Sequence, residues 1–326
     1  MSEEEYNVAD ILDKKDFAVY LNEEVVIEDS FFKTETMMIT SYLEPDMDNW
    51  NAPEETVRDL VSEIPKGIIH VPDSYFHYFS DFVGPITAFL EECIKFGIPK
   101  VEVISVVLEP DQPVVKNFSP FLEHCLSKFS DKIEVIYTPI VENGRLSDIQ
   151  KPFIRINNFR VIDQRDIGIS IDFLYDSAKT FAEHSDTVIP SRKVFIARRN
   201  DLVKDSTGNR HLYEEDVESL LAAEGFEVIS GEMFESLKDQ MKYFEDVSVF
   251  AGFSGSGLTS SMFMKPCQTV IEIVCPLKFD NSKMYELHNF YKTISMLKWH
   301  SYIAVSNVNN NKQNLLNQLK NVIKTL

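Results

Sequence analysis

The sequence predicts an α/β protein with two domains, each built around a parallel sheet. Short apolar segments typical of strands alternate with amphipathic segments typical of helices along most of the chain. Residues 101–107 are nearly all apolar, as in a parallel strand that is covered on both faces. The chain of 326 residues is long enough to form two separate cores.

The first domain is expected to span residues 1–185. A hairpin is predicted about Asn22-Glu23-Glu24, where two short alternating segments meet, and a short helix is predicted over residues 54–63. Further strands are expected at 37–43, 68–71, 101–107, 133–138 and 159–162, and further helices at 86–96, 118–129 and 172–184. This alternation is typical of an α/β domain.

The second domain is expected to span residues 186–305 and to begin with a linker at 186–191. Its strands are predicted at 192–197, 226–229, 247–251, 269–274 and 302–305, and its helices at 214–224, 237–245, 256–264 and 285–291. An amphipathic helix follows at 313–325. In two-domain α/β enzymes such a terminal helix often packs back on the first domain, and we consider that placement for residues 306–326.

The net charge of −20 lies entirely in the first part of the chain. Residues 190–326 contain 16 basic and 16 acidic side chains, so residues 1–189 carry the whole excess. A strongly acidic region repels polyanions and gains nothing from counterion release, which disfavours bare DNA or RNA as a partner. The acidity is equally compatible with a role in solubility or salt tolerance.

The sequence lacks the signals of a membrane helix, a signal peptide and a zinc site. No apolar run approaches the roughly 20 residues that cross a bilayer, and the first residues are acidic. We therefore expect a soluble, cytoplasmic protein. Cys93, Cys125, Cys267 and Cys275 form no C-x-x-C pair and lie among apolar residues, so buried free thiols are expected.

A glycine-rich turn after the strand at 247–251 is the first indication of function. The run Gly252-Phe253-Ser254-Gly255-Ser256-Gly257-Leu258 leads into a predicted helix. Glycines let the backbone approach a phosphate closely, and the first N–H groups of the helix point at the anion. The glycine spacing differs from the dinucleotide fingerprint and no Walker lysine follows, so neither a Rossmann dehydrogenase nor a nucleoside triphosphatase is indicated. Tight packing of small residues is the alternative explanation.

Charged residues on neighbouring strands favour phosphate binding at this turn. Arg198 and Arg199 directly follow the strand at 192–197, and Glu272 lies in the strand at 269–274. Because the carboxyl ends of parallel strands meet at one edge of a sheet, these side chains and the turn would line one crevice. Arginine suits a pyrophosphate because its guanidinium binds two oxygens at once. A surface salt bridge is the alternative role for the arginine pair.

A second candidate group lies in the first domain, in the aromatic-rich segment 74–82. His77 and Asp81 are four residues apart and therefore share one face of a helix. They are either an acid–base pair at the mouth of a cleft or a core histidine that donates to a carboxylate. Asp46 and Asp48 form a D-x-D, which holds a divalent metal in some sugar-nucleotide enzymes. In a proline-containing acidic loop, however, this pattern is more typical of a solvated turn.

Taken in order, these segments resemble glycosyltransferase family 61, which includes plant xylan-decorating enzymes, animal O-linked N-acetylglucosaminyltransferases, and bacterial and viral relatives. The first matching block is Ser74–Phe82, with His77 between aromatic residues and Asp81 four positions later. The second block runs from Val194–Arg199 through Glu214, Gly225–Val228, Glu232 and Gln240 to Ala251–Thr259 and Val270–Glu272. This chain departs from the family at Ser254, where the family usually has His, and at Ser260 and Tyr213, where it often has Asn.

The resemblance implies a GT-B architecture, in which two Rossmann-like domains with parallel sheets face a central cleft. It also implies inverting, metal-independent transfer of a hexose or pentose from a nucleotide sugar, such as a UDP-sugar, with no other cofactor. The donor-binding residues would be Arg198, Arg199, Ser254, Gly255, Ser256, Gly257, Leu258 and Glu272. His77 or Asp81 would take the proton of the acceptor hydroxyl.

The acceptor is left open by the sequence. A glycan or a protein hydroxyl is expected. The missing signal peptide and membrane helix would suit a bacterial or phage enzyme, for which hydroxymethylated bases of phage DNA are an alternative acceptor, although the negative charge argues against DNA. A nucleotide- or glycan-binding protein without turnover is a further alternative, because Ser254 replaces the family's histidine.

Overall fold

The chain folds into two compact units, each with its own sheet. The computed structural model describes residues 21–28, 31–33, 38–40, 57–60, 62–71, 75–107, 113–141, 153–162, 171–197, 213–274, 291–306 and 311–326. One unit comprises Met1–Asp73 with His77–Ile169, and the other comprises Ser74–Phe76 with Ser170–Leu326. The expected domain boundary followed residue 185, whereas the helix before that residue belongs to the second unit.

The described part of the first unit consists of a sheet and the helical segments between its strands. Its strands are β1 (Leu21–Glu28), β2 (Phe31–Lys33), β3 (Met38–Thr40), β4 (Val57–Leu60), β5 (Lys66–His70), β6 (Lys100–Val107), β7 (Glu134–Val141) and β8 (Phe153–Val161). After β5, one α-turn, α1 (Tyr75–His77), continues as a π-helix (Tyr78–Val83) and then as α2 (Gly84–Lys95). Helix α3 (Pro113–Ser127) connects β6 to β7.

The first sheet is mixed, not purely parallel. Its strand order is β3-β2-β1-β8-β5-β6-β7, and β4 also pairs with β8. Strands β4 and β5 run parallel to β8, and β5, β6 and β7 run parallel to one another. Strand β1 is antiparallel to β8, and β2 and β3 continue the antiparallel edge. The predicted parallel sheet is therefore its central part.

Two predictions in the N-terminal region were wrong. No hairpin turns at Asn22-Glu23-Glu24, because β1 runs through these residues and pairs with β8, with an irregularity between Leu21 and Glu23. The predicted helix over 54–63 is replaced by β4 at residues 57–60, which pairs in parallel with β8. Pairing with a long neighbouring strand outweighs the local preference of a short acidic segment for a helix.

The core of the first unit anchors the helical segment after β5. Gly67 of β5 lies so close to α2 that a Cβ atom there would be 2.7 Å from Cε1 of Phe89. Phe79 and Phe82 of the π-helix are buried, and the Phe79 ring centroid is 5.8 Å from that of Phe121 in α3. Burying an aromatic side chain contributes roughly 1.5–3 kcal/mol. The π-helix is therefore fixed by the core of its own unit.

The second unit is a five-stranded sheet in which every pair of neighbouring strands is parallel. Its strands are β9 (Arg192–Ala197), β10 (Glu227–Ser230), β11 (Val247–Phe253), β12 (Thr269–Val274) and β13 (Ser301–Ser306), in the order β10-β9-β11-β12-β13. The helices are α4 (Ile171–Phe181), α5 (Glu214–Ala223), α6 (Leu237–Tyr243), α7 (291–297) and α8 (Lys312–Ile323). A 3₁₀ helix (Ser256–Phe263) follows β11. The strands predicted at 192–197 and 269–274 are confirmed with these bounds.

The terminal helix packs on the second core. One face of the sheet, including Phe195, Ala251 and Ile271, forms a buried cluster with side chains of α5 and α8. Helix α8 contributes three of its members, Leu315, Leu319 and Ile323. Their spacing of four residues places them on one face of the helix. Packing back on the first domain was considered from the sequence, whereas this apolar face lies in the core of the second unit.

The cysteines follow the prediction in part. Cys93 and Cys125 are buried free thiols, but Cys267 is exposed. Cys267 lies in the connection before β12, where its backbone φ is 66° and its side chain is outside the core. Cys275 lies outside the described residues. Among the helices that the structure describes, none is long and apolar enough to cross a membrane.

Candidate active site

The strand order of the second sheet creates a topological switch point between β9 and β11. From β9 the chain moves outward to β10 on one side, then returns to β11, β12 and β13 on the other side. Ligands of open parallel sheets bind at such a point, in the crevice outside the carboxyl ends of the strands. At this edge Ala197 ends β9 and Phe253 ends β11, so the glycine-rich turn lies where this rule expects a ligand.

Hydrogen bonds fix the glycine-rich turn from both sides. The Ser254 N–H donates to the carbonyl of Ile273 in β12 over 3.0 Å, which ties the turn to the neighbouring strand. The carbonyl of Gly255 accepts from the N–H of Leu258 at 3.0 Å and from the buried hydroxyl of Tyr291 at 2.6 Å. A 3₁₀ helix begins at Ser256, and the first N–H groups of a helix have no acceptor within the helix itself. Such groups attract anions.

Two of the glycines pack closely against β9. A Cβ atom on Gly252 would lie 2.8 Å from Cγ2 of Ile196 and 3.1 Å from Cδ2 of Leu258. A Cβ atom on Gly257 would lie 3.0 Å from Cδ1 of the same isoleucine. Tight packing, one of the two explanations open from the sequence, therefore accounts for these two glycines. It also holds the start of the 3₁₀ helix directly over the end of β9.

Glu272 is a fully buried carboxylate that two hydroxyl groups satisfy. Its Oε1 accepts a hydrogen bond of 2.5 Å from Ser254, and its Oε2 accepts a short hydrogen bond from Tyr302 of β13. Burial, followed by the charge of Glu272, raises the pKa of Tyr302, so this phenol stays a donor. Ser254 thus links the glycine-rich turn to the carboxylate of the next strand.

A second polar network lies under the 3₁₀ helix. The buried hydroxyl of Ser260 accepts from Nε2 of Gln240 at 3.1 Å and lies 3.1 Å from the hydroxyl of Tyr75. Burial raises the pKa of Tyr75 and keeps it protonated. Tyr75 belongs to the short segment Ser74–Phe76 that groups with the second unit. This network joins three separate parts of the sequence around one serine.

His77 and Asp81 form a direct pair in the first unit. Nδ1 of His77 lies 2.5 Å from Oδ2 of Asp81, and the hydroxyl of Ser80 donates to Oδ1 at 2.6 Å. Their side chains differ in exposure, at 34 % for His77 and 13 % for Asp81. The pair spans the start of the π-helix, a rare conformation that is frequent at functional sites.

The structure unites part of the predicted donor group. A hydrogen bond joins Ser254 to Glu272, and Gly255, Ser256, Gly257 and Leu258 continue the turn into the helix. Arg198 and Arg199 lie outside the described residues, as do Asp46 and Asp48. Among the described residues, no group of three or more His, Cys, Asp or Glu side chains is arranged to hold a metal ion.

Three contributors were not predicted from the sequence. Tyr291 and Tyr302 lie in segments without a motif. Ser80 lies between His77 and Asp81, which were predicted as a pair from their spacing of four residues. A tyrosine in the strand beside a buried glutamate was the only available signal for Tyr302. Nothing in the sequence indicates that Tyr291 reaches the glycine-rich turn, because that contact depends on how α7 packs.

A comparison with protein families identifies one family for this chain. A family model described as Glycosyltransferase 61 matches residues 75–271. The match covers more than half of the chain, begins two residues before His77 and ends one residue before Glu272. A search of curated proteins gives no match.

Proposed function

The chain belongs to the glycosyltransferase 61 family, and we propose that it transfers a hexose or pentose from a nucleotide sugar, such as a UDP-sugar, to a hydroxyl of a glycan or protein. Inversion at the anomeric carbon, transfer without a metal ion and the family's GT-B architecture are part of this proposal. The observation that carries it is the turn Ser254–Leu258 at the switch point of the second sheet, the usual ligand position of open α/β folds.

The donor would bind to the second unit through its diphosphate. The N–H groups at the start of the 3₁₀ helix offer donors to phosphate oxygens, and Arg198 and Arg199 directly follow β9 in the sequence. Glu272 is fully buried, so it would contribute to the ribose side of the site by holding the hydroxyls of Ser254 and Tyr302 in place. This division gives each predicted donor residue a role that matches its chemistry.

The reaction would use the His77–Asp81 pair as the proton acceptor. The oxygen of the acceptor hydroxyl attacks the anomeric carbon while the bond from that carbon to the diphosphate oxygen breaks. The electron pair leaves with the diphosphate, whose charge the helix N–H groups and the arginines stabilise. The hydroxyl proton passes to the His77–Asp81 pair. A general base of this kind typically contributes about 10²–10⁴-fold to the rate.

The charge distribution favours glycan or protein acceptors over nucleic acid. Residues 1–189 carry the whole net charge of −20, and the His77–Asp81 pair lies in this part of the chain. A polyanionic acceptor would be repelled there and would gain no counterion release. Hydroxymethylated DNA bases are therefore the less favoured acceptor.

Binding and turnover of nucleotide sugars test the proposal. UDP-glucose, UDP-N-acetylglucosamine, UDP-xylose and GDP-mannose would each be added to the full chain in a thermal unfolding assay. A donor present at 100 times its Kd should stabilise the protein by about 2.7 kcal/mol. The same donors would then be assayed for release of the nucleoside diphosphate, with and without sugar acceptors, and slow release is expected with water alone.

Two outcomes would contradict the proposal in different ways. Stabilisation by a nucleotide sugar without any release of nucleoside diphosphate would make the protein a binding protein without turnover. No stabilisation by any nucleotide sugar, under conditions where the protein is folded, would overturn the donor site. A variant with a negative charge at the start of the helix, Ser256→Asp, should abolish the stabilisation, whereas Gly231→Ala, at an exposed position with open space around it, should leave it unchanged.

A further inference from the structure

The His77–Asp81 pair has a defined direction in its hydrogen bonds. An ionised carboxylate can only accept hydrogen bonds, so the nitrogen that faces Asp81 Oδ2 at 2.5 Å must carry a proton. That nitrogen is Nδ1 of His77. A neutral imidazole has one proton, so the lone pair of the ring is then on Nε2. A proton taken from a substrate would therefore go to Nε2.

Ser80 fixes the carboxylate in turn. Its hydroxyl donates to Oδ1 of Asp81 at 2.6 Å and is fully buried. The two oxygens of Asp81 are thereby held by different partners, Ser80 on one side and His77 on the other. A carboxylate held at both oxygens orients the imidazole more firmly than one held at a single point, as groups behind a catalytic histidine commonly do.

Solvent exposure increases from Ser80 through Asp81 to His77. Ser80 is fully buried, the Asp81 side chain is 13 % exposed and the His77 side chain is 34 % exposed. The π-helix that carries Ser80 and Asp81 is held by the core, since the Tyr78 hydroxyl donates to the carbonyl of Phe118 at 2.9 Å. A rigid, buried carboxylate therefore supports a more accessible imidazole.

We infer that Nε2 of His77 is the base that accepts the acceptor's proton, and that Asp81 and Ser80 are positioning residues that keep the other ring proton on Nδ1. This inference rests on the proposed function, because a base needs a reacting hydroxyl. It decides which member of the pair is the base, and it assigns a role to Ser80. After proton transfer the ring is an imidazolium, whose charge Asp81 stabilises through the same hydrogen bond.

The tautomer of His77 can be measured without any substrate. The full chain would be labelled with ¹⁵N at its 7 histidines, and the His77 signals would be identified by their loss in His77→Gln. The expected spectrum has a protonated Nδ1 and an unprotonated Nε2 at His77. In Asp81→Asn the side-chain amide can turn its NH₂ towards Nδ1, so a shift towards the Nε2-protonated tautomer is expected. A wild-type ring protonated on Nε2 would overturn the inference.

Turnover separates the base from the positioning residues. With the nucleotide sugar that the wild type uses best, His77→Ala and Asp81→Asn are each expected to lower kcat by about 10²–10⁴-fold, with the donor KM unchanged. Ser80→Ala should lower kcat by about tenfold, the effect expected of losing one hydrogen bond to the carboxylate. Asp81→Glu should restore part of the kcat that Asp81→Asn loses.

Matched controls distinguish these effects from damage to the fold. Ser105→Ala removes another fully buried serine of the first unit, whose hydroxyl bonds to Tyr137 at 2.6 Å, and it should leave kcat and the His77 tautomer unchanged. Near-normal kcat in His77→Ala would overturn the inference while the proposed function stands. No turnover by the wild type with any nucleotide sugar would instead overturn the proposed function, and the NMR measurement would still report the tautomer.

Discussion

Two buried carboxylates, Glu272 in the second unit and Asp81 in the first, have similar surroundings but different chemistry. Both accept hydrogen bonds on both oxygens, and both have a serine hydroxyl as one of the donors. The second donor differs. It is the phenol of Tyr302 for Glu272, and the imidazole of His77 for Asp81.

In our proposal this difference suits Glu272 to donor binding and Asp81 to proton transfer. Burial raises the pKa of Tyr302, so the phenol keeps its proton and Glu272 remains an acceptor in a fixed position. An imidazole has a second nitrogen that can take a proton near neutral pH. A buried carboxylate beside a phenol only accepts hydrogen bonds, whereas a buried carboxylate beside an imidazole can support an acid–base group.

The same isosteric substitution should have opposite effects at the two carboxylates. Asp81→Asn is expected to lower kcat by about 10²–10⁴-fold with little effect on the free energy of unfolding. Glu272→Gln is expected to lower the free energy of unfolding by about 1.5–3 kcal/mol, because the amide turns one donor towards Ser254 or Tyr302 and a charged hydrogen bond is lost. Steady-state kinetics and urea unfolding of both variants would check this. Equal losses of stability would remove the distinction between the two carboxylates.

Lys298 extends the comparison to a buried amine in the second unit. It is 2 % exposed, its Nζ lies over the ring of Tyr175, and no described residue accepts a hydrogen bond from it. Burial lowers the pKa of Lys298 to about 7, although Asp172 and Asp176 oppose the shift. Between this value and the ordinary 10.5 the unfolded chain binds a proton that the folded chain does not. Stability should therefore rise with pH across this range, by at most about 1.4 kcal/mol per pH unit.

Lys298→Met tests this pH dependence. The variant should be more stable than the wild type at pH 7, and the difference should shrink as the pH approaches 10.5. Urea unfolding of both proteins at several pH values in this range would measure it. If the difference in the free energy of unfolding does not change with pH, the Lys298 amine is charged in the folded protein. It would then have hydrogen-bond acceptors, just as the Glu272 carboxylate has donors.

Substitution of the glycines tests whether packing holds the donor turn in place. Gly252→Ala would bring a methyl group to 2.8 Å from Ile196 and should lower the free energy of unfolding by about 1–3 kcal/mol. Gly231→Ala is the matched control, because nothing lies within 4 Å of the added carbon. Urea unfolding of the two variants gives the comparison. A tolerated Gly252→Ala would show that the turn can shift relative to β9.

Removal of divalent metal should have the smallest effect. If the helix N–H groups and the arginines stabilise the leaving diphosphate, addition of EDTA should leave kcat unchanged. A loss of kcat that Mg²⁺ or Mn²⁺ restores would assign part of this role to a metal. Asp46 and Asp48 would then be the first residues to substitute, and Asp131, on the exposed turn after α3, would serve as a control.

The second sheet could be predicted closely because its strands are short apolar segments bounded by polar residues. Residues 192–197 and 269–274 are strands with the predicted bounds. Residues 57–60 could not be predicted, because their conformation is determined by pairing with β8, almost 100 residues later. For the site, the glycine-rich turn and the spacing of His77 and Asp81 are local patterns. The contacts of Tyr291 and Tyr302 depend on packing between distant elements.

In our proposal the second unit binds the donor and the His77–Asp81 pair carries the proton. Calorimetric titration of Asp81→Asn with the donor, next to an assay of its turnover, tests this claim most directly. We expect the Kd for the nucleotide sugar to equal that of the wild type while kcat falls by about 10²–10⁴-fold. A loss of donor affinity that accounts for the whole loss of turnover, or turnover at the wild-type rate, would contradict it.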